Sequence, residues 1–240
     1  MSSRALIQEV YQYSEGGKSS VITPPSGKLL QVYDVRIINR SGSNCDIGFL
    51  QKLSQSNYKV YTYDGSVATL VTDFSNVNIF DLTSGHGIIV QSEDKFGMLG
   101  FQIATGESGS PVYLYRYHNG SSFNTLTTIK APAVYSTGEK HVIFASPLDF
   151  VPSSPAISGL ESNKYTIILT ASTAPGTAVN ISNMWAGKFI DFIENAVTKS
   201  SLQVSFDKED PLRFEAEEGV LPYFSVPNVN NLVTLIYRLV

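Results

Sequence analysis

The chain has 240 residues, a net charge of −4, 42% apolar residues and only 16% charged ones, against a usual charged share of about 25%. Its 17 Lys and Arg are scattered without a basic cluster, so phosphate-backbone binding is not expected and nucleic acid is excluded as a partner. Cys45 is the single cysteine, which rules out an internal disulfide and a cysteine-rich metal site; cohesion must come from burial and strand pairing. The length suits one large β-domain or two of about 120 residues each. The segment Met1–Val10 carries no apolar core and no small-residue cleavage site, and no run reaches the roughly eighteen apolar residues of a membrane helix. The expectation is a soluble, cytoplasmically made protein with no membrane partner.

In chain order, the first residues stand apart. Ser14-Glu-Gly-Gly-Lys-Ser-Ser20 followed by Thr23-Pro24-Pro25 reads as a flexible N-terminal arm over residues 1–20, either reaching a neighbouring subunit or simply fraying. Apolar and polar residues then alternate at Val32–Ile37, where Tyr33, Val35 and Ile37 are expected on one face. Further strands are expected at Tyr58–Tyr63, Gly87–Gln91, Leu99–Ala104, Val112–Tyr117, Lys140–Ala145, Tyr165–Thr170, Leu202–Phe206, Tyr223–Val226 and Leu232–Leu239. Turn residues separate them at Ser41-Gly42, Asp64-Gly65, Gly106–Pro111, Asn119-Gly120, Thr137-Gly138 and Pro175-Gly176. One stretch, Lys188–Lys199, has apolar residues at Phe189, Ile190, Phe192, Ile193 and Val197, a spacing that fits a helix or a ragged strand.

A test for self-similarity gives a second level of order. A shift of 122 residues places Glu93 on Glu215, Gly97 on Gly219, Leu99 on Leu221, Phe101 on Tyr223, Tyr115 on Tyr237 and Arg116 on Arg238, and also Tyr63 on Trp185 and Gly65 on Gly187. Upstream, a shift of 132 places Tyr33, Val35, Ile37 and Ile47 on Tyr165, Ile167, Leu169 and Val179. The expected fold is therefore all-β: two tandem β-sandwich, jelly-roll-like modules over residues 21–118 and 119–240, behind a short N-terminal arm. On this reading the hairpin at Tyr117–Gly120 hinges the two modules, and the apolar run Leu232–Val240 completes the second sheet.

A resemblance covers roughly residues 58–181. The chain has Lys95-Phe96, Phe101-Gln102-Ile103, Tyr117-His118-Asn119-Gly120 with Phe123 and Leu126, then Ser136-Thr137-Gly138, His141–Phe144, Pro147-Leu148-Asp149-Phe150 and Tyr165–Leu169. In order and spacing this resembles a recurrent β-module of tailed-bacteriophage virion proteins, with Phe123 and Phe150 where such modules often carry Trp. The resemblance implies a structural part of a virion, on head or tail.

The residues also have a reading of their own. Asn119-Gly120 suits a two-residue hairpin with positive φ at both centres, and Phe123 and Leu126 can fold back on the sheet. Tyr113, Tyr115 and Tyr117 share one face of their strand, opposite Val112, Leu114 and Arg116. With His118 and Phe123 they form the candidate platform, fitting a sheet core, a subunit interface or a stacking surface for a sugar ring.

Catalytic and metal motifs are weak. His86, His118 and His141 show no metal-ligand spacing. Gly106-Glu107-Ser108-Gly109 lacks the second glycine a nucleophile elbow needs at its place, and Gly17-Lys18-Ser19 has Gln12 where a Walker A loop needs its first glycine. The carboxylates Glu93-Asp94, Glu209-Asp210 and Glu215, Glu217, Glu218 read as solvated turns rather than a calcium loop. The sequons at Asn39, Asn119 and Asn180 mean little without a secretion signal. No catalytic residue, cofactor or metal is expected. The function expected is a non-enzymatic, multi-copy virion subunit, a capsid decoration protein made in the host cytoplasm and partnered by other virion proteins. The alternative is a tail or baseplate accessory or receptor-binding protein that takes a host glycan.

Overall fold

A computed structural model describes residues 7–13, 22–75, 79–82, 85–105, 112–118, 122–128, 140–144, 156–171, 177–224 and 230–240. Over these residues the protein is all-β, with a single turn of 3-10 helix at Gln55–Asn57. The strands are β1 Ile7–Tyr13, β2 Leu30–Ile38, β3 Cys45–Lys52, β4 Lys59–Tyr63, β5 Ala68–Leu70, β6 Phe80–Leu82, β7 Gly87–Ser92, β8 Phe96–Thr105 and β9 Val112–His118. They continue with β10 Ser122–Thr128, β11 Lys140–Phe144, β12 Tyr165–Ala171, β13 Thr177–Ala196, β14 Ser201–Ser205, β15 Leu212–Phe214, β16 Gly219–Phe224 and β17 Asn231–Leu239. Each expected strand coincides with one of these, though Tyr223–Val226 catches only the end of β16.

The chain divides into a split unit, Met1–Ser54 with Gly187–Val240, and an inserted unit, Gln55–Ala186. This corrects the tandem modules 21–118 and 119–240. The reason is strand pairing: β17 lies between β1 and β2, with Val233 opposite Ile37 and Leu235 opposite Val35, so segments near the two ends of the chain build one sheet. It also corrects the flexible arm. Ile7–Tyr13 is a strand paired with β17, Ile7 opposite Tyr237 and Tyr13 opposite Asn231; the rest of the arm lies outside the described residues.

In the split unit one sheet has the order β1-β17-β2-β14, with β15 also on β2, and β3 runs between β16 and the second half of β13. Their facing residues form one core. Leu30, Val32, Val35, Ile37, Val233 and Leu235 from the first sheet pack with Cys45, Ile47, Phe49, Val220 and Phe224 from the second, the arrangement of a sandwich. The clean alternation of β17, where every second residue from Asn231 to Tyr237 is buried, follows from having one face in that core. Tyr33 does not share the face of Val35 and Ile37 as expected. Ile236 partners Asp34 and Tyr237 partners Val32, so Tyr33 is an extra, bulged residue and Val32 takes the inward place.

The stretch 188–199 is strand up to Ala196, not helix. Register slips between Phe189 and Asp191 and between Ile193 and Ala196 against β3 break the period of two. The apolar residues at Phe189, Ile190, Phe192 and Ile193 thereby imitate helical spacing.

The inserted unit holds the sheet β10-β9-β12-β7-β4-β5, and β8 lies between β11 and β13. β7 is buried at every residue. Ile89 packs with Tyr61, Ala68 and Ile168 under Ile157, while Ile88, Val90, Val60, Ile167 and Leu169 on the other face are equally buried. A strand covered on both faces reads as a continuous apolar run, which is what Gly87–Val90 and Ile167–Leu169 show.

The sequence repeat meets an unexpected pairing. The matched strands β2 and β12 do not close their own halves of the chain: β2 pairs with β17, and β12 pairs with β9. Both units carry the same three-strand order, β1-β17-β2 in one and β10-β9-β12 in the other. The hairpin β9–β10 therefore sits inside the inserted unit and is no hinge between modules. His118 partners Ser122 at the end of that hairpin.

Candidate functional site

The expected platform falls on β9 and β10. Backbone register places Phe123 opposite Tyr117, Thr125 opposite Tyr115 and Thr128 opposite Tyr113, with Ile168 and Thr170 of β12 on the other side of Tyr115 and Tyr113. The platform strand is thus internal to its sheet. The side chains of Tyr113, Tyr115, Tyr117, His118 and Phe123, and the turn Asn119-Gly120, lie outside the described residues, as do Gly106–Ser108, Gly17–Ser19, Thr137-Gly138 and Pro175-Gly176.

A polar cleft of about 290 Å³ opens elsewhere in the inserted unit. Three chain segments supply it: Ser56–Lys59 entering β4, Gln91–Asp94 leaving β7, and the turn Glu161–Lys164 before β12. Sheet register brings them together, because Lys59 partners Gln91 and Tyr165 partners Ser92. All three segments therefore meet at one end of β12-β7-β4.

The floor of the cleft is hydrogen-bonded across all three segments. Gln91 is 1% exposed; its amide nitrogen donates to the Glu161 carbonyl at 3.0 Å and to Thr166 Oγ1 at 2.9 Å, and its oxygen accepts from Glu161 N at 3.0 Å. Ser92 Oγ donates to the Asn57 carbonyl at 2.8 Å and accepts from Asp94 N at 3.1 Å. With its polar groups matched, this floor positions the charges above it.

Those charges alternate. Lys59 Nζ pairs with Glu161 Oε1, Lys164 Nζ stands 3.9 Å from Glu161 Oε2, and on its other side Lys164 meets Glu93 Oε1 at 2.5 Å. The hydrogen bond to Glu161 raises the pKa of Lys59 above the ordinary lysine range. The Lys164 hydrogen bond, with its charge, holds the Glu93 carboxyl below the ordinary range. Glu93 and Asp94 are exposed on a bend, as the solvated-turn reading expects; what that reading does not give is the pairing of Glu93 with Lys164, 71 residues away, or of Lys59 with Glu161, 102 residues away. The only sequence signal is a lysine or acid at the end of each of three strands.

The other carboxylates serve turns. Glu218 accepts from Glu215 N and from Gln51 Nε2, and Asp207 accepts from Glu209 N. Among the described residues no three His, Cys, Asp or Glu side chains group as a metal ion needs. His86 is exposed, and its carbonyl accepts from Thr170 Oγ1 at 2.5 Å. Asn39, the first sequon, is 0% exposed and fully hydrogen-bonded, so it is a structural residue and no glycan acceptor.

No family model matches the chain, and no curated protein matches it. Among solved structures it is similar to chains of infectious bursal disease virus, Gt strain, at 11% identity and a TM-score of 0.18 over 98% of this chain and 80% of that one. For the Gx strain the identity is again 11% and the TM-score 0.17, with the same coverage.

Proposed function

We propose that this chain is a non-enzymatic structural subunit of a tailed-phage virion, carried in multiple copies on the capsid as a decoration protein. The observation that supports this reading is where the phage-like pattern falls. Lys95-Phe96 opens β8 and Phe101–Ile103 lies within it; Tyr117-His118 ends β9; Phe123 and Leu126 lie on β10, His141–Phe144 on β11 and Tyr165–Leu169 on β12. The described parts of the pattern thus fall on consecutive strands of one unit, as the parts of a module should. Sheets that end in the strands β1, β14 and β10 among the described residues offer edges and faces for contact with neighbouring subunits. Weak contacts of that kind add up when many copies meet a repeating surface. Immunogold labelling of intact particles tests it: labelled heads are expected, and unlabelled particles would refute the reading.

The polar cleft favours a second reading, a tail or baseplate accessory protein that takes a host glycan. Label confined to tails, together with binding on a glycan array, would select it over decoration.

A further inference from the structure

Strand β14 ends its sheet with a bare edge. Among the described residues β2 is its sheet neighbour on one side and nothing pairs with the other. Sheet edges usually carry a bulge, a proline or a charge that stops another strand from adding. β10 has a bulge between Thr125 and Thr127, β16 has Pro222 and a bridge from Ile22 to Val220, and β1 has Glu9 within it. β14, Ser-Leu-Gln-Val-Ser, has none of these, and its register against β2 runs unbroken from Ser201 to Ser205. The main chain shows which groups the edge presents. Asn39 N donates to the Ser200 carbonyl at 3.0 Å and Phe206 N donates to the Tyr33 carbonyl at 2.8 Å. Bonds of an antiparallel pair fall on alternate residues, so the even residues from 200 to 206 face β2, and the N–H and C=O groups of Ser201, Gln203 and Ser205 point to the open side. Two of their side chains are tied back to β2, where Asp34 Oδ1 accepts from Gln203 Nε2 at 3.2 Å and from Ser205 Oγ at 2.5 Å. The backbone edge is left clear.

This edge is complementary to itself. A second β14 laid antiparallel about a two-fold axis at Gln203 sets Gln203 opposite its own counterpart and Ser201 opposite Ser205, so the outward groups of all three residues find partners. The same register sets Leu202 opposite Val204 on the core side, where Leu202 is buried and Val204 only half-buried, and apolar cross-strand pairs of this kind are stabilising. Two residues beyond each strand end it sets Lys199, exposed on the turn after Ala196, across from exposed Asp207. We propose that the chain forms a two-fold dimer by antiparallel pairing of β14 with β14 of a second copy, flanked by two Lys199–Asp207 ion pairs. The symmetry uses both edges and closes the assembly at two chains through this strand. The dimer goes beyond the virion reading and does not rest on it: labelled particles test that reading, and the mass of the purified chain tests this one.

The experiment is sedimentation velocity of the full chain at low salt, over about a hundredfold concentration range reaching the high micromolar, because a pair of five-residue strands lies at the weak end of specific interfaces. A reversible shift from the mass of one chain to that of two is expected. Gln203→Pro puts its ring on the open side, where no bond to β2 is lost, and should weaken dimerisation at least about tenfold while the cooperative melt is kept. Lys199→Asp and Asp207→Lys test the same contact without touching the strand. Each brings like charges together at both ends and should weaken self-association severalfold; mixed in equal amounts the two variants should recover it as a heterodimer, since both flanking pairs are then opposite in sign. Circular dichroism melts establish that each variant is folded. A chain that stays monomeric throughout would overturn the dimer. Dimerisation unchanged in Gln203→Pro would assign it to another surface and overturn the edge, and a mixture that fails to recover would overturn the two-fold register.

Discussion

Asn39 ties two distant stretches of the split unit together, residues 39–43 and 196–200. Its Nδ2 donates to the carbonyls of Ser43 at 2.9 Å and Ala196 at 2.8 Å, its Oδ1 accepts from Ser41 N at 3.0 Å and Ser41 Oγ at 2.7 Å, and its main chain pairs with Lys199 and Ser200. Removing the amide leaves buried partners unmatched, so Asn39→Ala should cost about 2–4 kcal/mol in denaturant unfolding. Gly100 matters through space. A Cβ there would lie 2.1 Å from the indole of Trp185, and overpacking of this kind costs about 1–3 kcal/mol. Because Trp185 is the only tryptophan, Gly100→Ala should both lower the melting temperature and shift the emission maximum. An unchanged spectrum and melt would show that the ring moves aside freely. Asp64 supplies a pH-dependent term. Its carboxylate accepts from Val67 N and from Ser66 N and Oγ, all at 2.9 Å, and with the Val67 bond foremost its pKa falls to about 2. A depressed acid stabilises the fold above its unfolded pKa, near 3.9, and that contribution is lost as pH falls through about 2. The stability gap between the native protein and Asp64→Asn should therefore be widest near neutrality and shrink towards pH 2.

Strands with one buried face are legible in the sequence. β17 and β14 alternate plainly, and β2 does so apart from the bulge at Tyr33. Others are hidden for local reasons. β3 carries Gly48, where a Cβ would come within 3.1 Å of the Phe192 ring, and its inner residues Ile47–Leu50 are buried without alternation. β10 is mostly polar, Ser-Phe-Asn-Thr-Leu-Thr-Thr. β1 is followed closely by a glycine pair that reads as flexible chain. The pairing also sharpens what the last strand does. Deleting residues 232–240 removes β17 from between β1 and β2, uncovering the backbone groups of β2 and depriving β1 of its partner. Such a truncation should aggregate or lose the cooperative melt; a soluble protein with an unchanged melt would contradict the pairing.

For the whole molecule the nested arrangement makes a prediction that the tandem reading does not. Residues 55–186 expressed alone contain both sheet neighbours of each of β7, β9 and β12, and should give a cooperatively melting β-protein. Residues 21–118 contain β2 without β14, β15 or β17, and β9 without β10 or β12, and should remain unfolded by circular dichroism. The reverse result would restore the tandem modules. The same logic explains why the cleft charges are invisible in the sequence. Lys59, Glu93 and Lys164 are each unremarkable beside the end of a strand, and only the order β12-β7-β4 places them together.

An all-β class, the positions of most strands and a single cysteine with no bridge to make are legible in the amino-acid sequence alone. These are local or compositional properties, written in a period of two and in turn residues. Tertiary structure alone decided which strands are neighbours, and with them the split unit, the strand at Ile7–Tyr13, the bulge at Tyr33 and the paired charges of the cleft. The reason is that alternation tells a strand which face to bury without naming its partner. Val35 would alternate in the same way beside any strand, yet it lies opposite Leu235, on a segment at the other end of the chain.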